Sequence, residues 1–270
     1  MKRIGVWVAA IGLLFIVAAV LLAGPISGHD PVAQHLADRL LPPGSEGHLL
    51  GTDDKGRDVL ARTLYGGRIS LLVGFVAATA AAVAGIGLGL LAGYYGGWWD
   101  RIISGLADIW IAFPFLVLAV ATLAVVGGTV PVLIVLLTFG AWVTPTRVTR
   151  GLARRLRDAD HVQAAIGLGA SDGRILRRHV LPAVLPANLI VWTLTVGTLI
   201  LIEGGLSFLG LGVRPPTPSW GNMLSDGRGY LELAWWATAV PGAALTLTVL
   251  LTNLLGDALR DALDIKLRDR

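Results

Sequence analysis

"IWIAFPFLVLAVATLAVVGGTVPVLIVLLTFGAWVTPT", residues 109–146, runs for 38 residues without a charge. As one helix it would reach about 57 Å at about 1.5 Å per residue, against a bilayer core of about 30 Å. "VGGTVP", residues 126–131, holds two glycines and a proline and breaks the run. The stretch therefore reads as two membrane spans joined by a tight turn. Residues 4–24 form a block of 21 uncharged positions behind Lys2 and Arg3. That exceeds the roughly 7–15 apolar residues of a cleaved signal peptide, so it reads as an uncleaved first span. Blocks at 69–99, 187–211 and 233–256 supply three more. The expectation is an all-α integral membrane protein with six transmembrane helices and both termini cytoplasmic. Residues 1–68 would hold the first helix and an outer loop. Residues 69–270 would hold a core of five helices, with a cytoplasmic loop at about 147–188.

Composition agrees with this class. The chain is 54% hydrophobic and 15% charged, whereas a soluble domain carries about a quarter charged residues. It has no cysteine, which excludes disulfides, thiolate metal sites and cysteine nucleophiles. The net charge of +4 reads as topology. Eight arginines fall between Arg147 and Arg178 on the inner side. The first outer loop is also basic, with Asp53, Asp54 and Asp58 offsetting part of its charge. No basic patch is interleaved with aromatics, so nucleic acid is not an expected partner. No internal repeat is visible, and many secondary transporters have one.

The long inner loop contains "HVQAAIGLGASDGRILRRHVLP", residues 161–182. Ala159, Val162, Ala165, Ile166 and Gly169 recur at helical spacing and make one small apolar face. Gly169 suits the left-handed position that ends such a helix. Ser171 suits an N-cap, with Asp172 in the first turn after it. A second short helix would carry Ile175, Leu176, His179 and Val180 on one face, and Pro182 would stop it. On physical grounds two roles stand side by side. The loop either seals the bundle at the lipid surface, with Arg174, Arg177 and Arg178 on anionic head groups, or docks a cytoplasmic partner.

The segment resembles the EAA loop of ABC-importer permeases, E-A-A-x3-G followed about a dozen residues later by L-P. Gln163, Ala164, Ala165, Gly169, Leu181 and Pro182 occupy that pattern, with Gln163 where the family has Glu. "GTDDKGRDVLARTLYGGRISL" (51–71), "EGGLSFLGLGVRPPTPSWGNML" (203–224) and "NLLGDALRDALD" (253–264) resemble signatures of the dipeptide/oligopeptide/nickel group, and within it the C-type subunit. The resemblance implies a type I permease fold in a bacterial cytoplasmic (inner) membrane. It implies a second permease subunit, two ABC ATPase subunits and an extracytoplasmic substrate-binding protein as partners. The function implied is ATP-driven import of di- or oligopeptides, or a related small solute. Val162, Gln163, Ala164, Ala165, Ile166, Gly169, Leu181 and Pro182 would dock the ATPase, as a coupling helix.

None of Lys2, Lys55 and Lys266 sits in a P-loop, G-x-x-x-x-G-K-[ST]. ATP and Mg are therefore expected on partner subunits, with no cofactor, metal or catalytic residue in this chain. Glu203 is an intramembrane carboxylate that would either line the pathway or gate it, or else pair locally at the interface. A stand-alone ion-coupled transporter, the alternative function, would depend on it. Asp108 would head the third span and complement its dipole. Ala77, Ala81, Gly85, Gly89 and Gly93 form a small-residue stripe for either a subunit seam or internal packing. Trp220 and Tyr230, in the proline-stiffened loop 213–231, would contact a binding protein or simply order the loop.

Overall fold

The computed structural model describes residues 2–268, with side chains described for 5–262. The described residues form helices and turns, with no strand among them. α1 (Lys2–Leu21) is followed by the short α2 (Ala23–Ser27) and a loop through residue 58. α3 (Val59–Leu90) ends in a π turn, Leu91–Tyr95. α4 (Gly97–Ala112), α5 (Phe115–Val126), α6 (Val130–Ala141) and α7 (Val143–Arg157) come next. α8 (Asp160–Gly167) and α9 (Asp172–Ile175) are short, and a second π turn, Leu176–Val180, leads into α10 (Leu181–Phe208). α11 (Trp220–Gly227) and α12 (Trp236–Arg268) complete the chain.

Four helical stretches are long and apolar enough to cross a membrane: Val59–Tyr95, Val130–Arg157, Asp172–Phe208 and Trp236–Ala262. The pair α4 and α5 makes a fifth if counted as one span, bent by 79°. Gly5–Leu21 is a shorter apolar helix. The bend has a local cause. Pro114 disfavours the α region at the residue before it, and Phe113 is extended at φ −92, ψ 131. The expected break at 126–131 is present, with Gly127 at φ +86.

α3 starts ten residues before the uncharged block from which it was expected to begin. Asp58 caps it, its Oδ1 accepting from the Ala61 N–H at 2.7 Å. The polar residues of its first turns are buried in ion pairs, described below. From there α3 runs through the centre of the bundle. Val73, Ala77 and Ala78 pack with Leu123, Leu133, Leu136, Leu137, Leu199 and Leu206 in the main core. The small-residue stripe is internal packing. A β-carbon on Gly85 would lie 2.7 Å from the Trp142 carbonyl oxygen, and one on Gly89 would lie 2.5 Å from Thr149 Cβ. Gly93 faces the Arg150 carbonyl oxygen at 2.5 Å in the same way. With no hydrophobic drive between helices in lipid, such close approach supplies the dispersion contact that holds them.

This contact generates a test with opposite signs. Gly89→Ala loses stability by about 1–3 kcal/mol through overpacking against α7. Gly87, two residues away on the opposite, exposed face of α3 and with open space around it, gains up to about 1 kcal/mol on replacement by Ala. Thermal unfolding of the purified variants should place their midpoints on either side of the wild type.

Candidate functional site

At the arginine-rich end of the bundle, α8 lies between α7 and α9. Its N-cap, Ala159, is extended and contributes no side chain. The Gln163 amide instead donates to the Arg157 carbonyl oxygen at 2.8 Å, closing one of the free carbonyls at the end of α7. Val162 is fully buried in a small core with Tyr94, Ala153, Ile175, Val180 and Val184. Helix α8 ends as its sequence suggests. Gly169 sits at φ +80, and the Ala170 N–H reaches the Ala165 carbonyl oxygen at 3.0 Å, a Schellman closure.

The expected face is split by this geometry. Val162 points inward and Gln163 is used within the chain. Ala165 is half-buried, while Ala164 and Gly169 are exposed. Ile166 is 43% exposed and Leu168, a residue the motif does not mark, is 89% exposed. The helix closes at Gly169, so the residue before it is carried past the bundle surface.

One expectation at this end needs correction. Pro182 does not stop a second helix, and α9 continues through the π turn into α10. The Leu181 N–H bonds the Leu176 carbonyl oxygen, five residues back. That extra residue loosens the ladder just where Pro182 has no N–H to offer. Leu181 is half-buried against the small core, and Pro182 is exposed in the first turn of α10. Ser171 does hold the N-cap position, with Asp172 in the first turn, although its hydroxyl makes no capping bond. Asp172 instead accepts from the Tyr94 hydroxyl at 3.0 Å. Asp108 also differs from expectation. α4 begins at Gly97, so Asp108 lies near its far end, paired with Arg147 at 2.6 Å.

The opposite end holds a second cluster. Arg57 Nε lies 2.6 Å from Asp53 Oδ2, and its Nη2 lies 3.0 Å from Asp226 Oδ2 on α11. Arg62 bridges the same two carboxylates at 3.4 Å each. The Arg57, Arg62 and Asp53 side chains are all under one-tenth exposed. His48 Nδ1 lies 2.8 Å from Asp58 Oδ2. Together these ties fasten the 28–58 loop to α3 and α11. Burial, then the charge of Asp53, push the Asp54 carboxyl above its usual range. Composition marked these aspartates only as offsets of positive charge. Their spacing, with the i,i+4 pair Asp53–Arg57, was the signal for an internal network.

Glu203 and Trp220 sit below this cluster. Glu203 is fully buried, and its Oε1 accepts from the Ser207 hydroxyl at 2.7 Å. Its Oε2 makes no well-formed hydrogen bond among the described residues, with the Ser70 and Ser219 side chains close by. Trp220 is 1% exposed, and its indole donates to the Thr63 carbonyl oxygen at 2.8 Å. A side chain so placed pins α11 to α3 and does not present itself to another protein. Tyr230 is half-buried beside Val59, Met223 and Trp236. A groove of about 340 Å³ runs between Phe115, Gly140 and Thr144 on one side and Val191, Thr195 and Thr198 of α10 on the other. Among the described residues no three His, Asp or Glu side chains assemble as a metal site.

Comparison with known families meets this geometry directly. The family model described as "Binding-protein-dependent transport system inner membrane component" matches residues 85–269, which include α8 and both of its flanking spans. The chain belongs to this family. A dipeptide transport system permease protein of Alkalihalophilus pseudofirmus is 41% identical over 96% of the chain and 86% of its own length. A putative peptide transport system permease protein of Brucella suis is 40% identical over 99% and 90%. A glutathione transport system permease protein of Pectobacterium atrosepticum is 38% identical over 96% and 86%. Inward-facing structures of the MetNI methionine ABC transporter share the fold. One aligns at TM-score 0.57 and 23% identity, over 73% of this chain and 94% of that one. The family member described here is a multi-pass inner-membrane permease subunit of an ABC importer.

The ion cluster makes its own prediction. Asp53→Ala leaves Arg62 buried beside the more exposed Asp226, and Arg57 beside Asp226 and Asp54, and should cost about 3–5 kcal/mol. Lys55→Ala, which removes no ion pair of the network, should leave stability within about 0.5 kcal/mol. Thermal stability of the detergent-purified variants checks both.

Proposed function

We propose that this chain moves peptides, either di- or oligopeptides, or a related small solute into the cytoplasm, coupled to ATP hydrolysis on separate subunits. The observation that carries the reading is α8. It is anchored by Val162 and Gln163, yet it projects Ile166 and Leu168 outward at the arginine-rich end. An exposed apolar pair on a fixed base is the form of a docking surface. Two ABC ATPase subunits would carry ATP and Mg, one on this chain and one on a second permease. The peptide assignment rests on the relatives, which are named for dipeptide, peptide and glutathione transport.

In this reading α1 is the sixth span, since its 20 residues reach about 30 Å. The arginine-rich end and both termini then face the cytoplasm. The groove along Thr195 and Thr198 would line this subunit's half of the pathway. Leu231, Leu233 and Trp235, exposed beside Tyr230, would meet the binding protein. Closing of the ATPases drives transport only by favouring one conformation of the spans over another.

Co-expression with the partner permease, ATPases and binding protein tests the reading. The complex should co-purify and show peptide-stimulated hydrolysis. Leu168→Asp should lower ATPase affinity about tenfold or more. Peptide uptake driven by an ion gradient, with no ATPase bound, would instead establish the stand-alone transporter built around Glu203.

A further inference from the structure

The end of α3 and the α8–α9 segment come together through one polar contact. Tyr94 is 5% exposed, in the π turn that ends α3. Its ring belongs to the small core that also buries Val162. Its hydroxyl donates to Asp172 Oδ1 at 3.0 Å. Among the described hydrogen bonds, it is the one that joins the 91–95 turn to residues 160–180.

The surroundings make this a mechanical junction. Asp172 opens α9, which is continuous with α10 through the second π turn. Its other side leads through Ala170 and Gly169 to α8, with the Schellman bonds holding that connection stiff. Any displacement of α8 therefore reaches Asp172 through a short rigid path. From Asp172 it passes to α10 along the chain and to α3 through Tyr94. Apolar contacts around Val162 can slide, because dispersion has no preferred direction. A hydrogen bond is directional. Both helices also carry their π turns at this level, and a π turn holds one residue of slack in the ladder. The slack lets each helix end yield while its membrane portion stays intact.

We propose that the Tyr94–Asp172 hydrogen bond transmits displacement of α8 to α3. Tyr94 and Asp172 are then positioning residues of coupling, acting through the spans and not on solute or ATP. The proposal rests on α8 being the ATPase-docking helix. Asn at position 172 keeps an acceptor for the tyrosine hydroxyl, whereas Ala removes it and Phe at 94 removes the donor.

The test uses the full complex in proteoliposomes. It measures basal hydrolysis, peptide-stimulated hydrolysis and peptide imported per ATP. Tyr94→Phe and Asp172→Ala should each lower peptide imported per ATP about fivefold, the effect of losing one hydrogen bond of ordinary strength. ATPase co-purification and basal hydrolysis should stay at the wild-type level. Asp172→Asn should restore import per ATP, and the double variant Tyr94→Phe/Asp172→Ala should be no worse than either single. Import per ATP unchanged in both single variants would overturn the link, as would losses that add in the double variant. Failure of the ATPase to bind the wild-type chain would overturn the docking reading, and the link with it.

Discussion

α3 lies within backbone contact of α7 because glycine stands at each crossing, at Gly85, Gly89 and Gly93. Everything at the arginine-rich end follows from that approach. It places the last turn of α3 beside α7, and so brings Tyr94 under α8 and within reach of Asp172. A β-carbon at any of the three positions would separate the helices. In lipid, where apolar side chains gain little by leaving their surroundings, that separation would not be offset by hydrophobic burial.

The two ends of α3 are fastened by different physics. At one end Arg57 and Arg62 are buried against Asp53 and Asp226, so the 28–58 loop, α3 and α11 move as one piece. Such a network is rigid because breaking any member leaves a buried charge. At the other end the ties are a small apolar core, two π turns and less buried polar contacts: Tyr94 to Asp172, Arg157 to the Tyr95 carbonyl oxygen and Arg150 to Asp100. A bundle stiff on one side and yielding on the other suits a subunit driven from its yielding end.

Much of this was legible in the residues. Long uncharged blocks marked the spans, and the glycines of "VGGTVP" marked the turn between α5 and α6. Gly169 marked the end of α8. What escaped was polar structure inside the apolar body. Arg62 and Arg68 suggested a loop, yet α3 starts at Val59 because Asp58 caps it and the carboxylates bury Arg62. Trp220 looked like a surface aromatic, but Gly67 leaves the space that seats its ring. Pro182 read as a stop, and a π turn absorbed it. For Arg62 and Trp220 the deciding partners, Asp226 and Gly67, lie far along the chain, where periodicity and local propensity carry no signal; for Pro182 the π turn is local, but hydrophobic periodicity does not mark one.

The absence of cysteine gives the central claim a clean measurement. Leu168→Cys on α8, and Val125→Cys at the far end of α5 and equally exposed, can each be joined to neighbouring lysines by a maleimide–ester cross-linker in the assembled complex. Docking through α8 predicts an adduct between this chain and the ATPase from position 168 and none from position 125. No adduct from 168, or equal adducts from both positions, would contradict it.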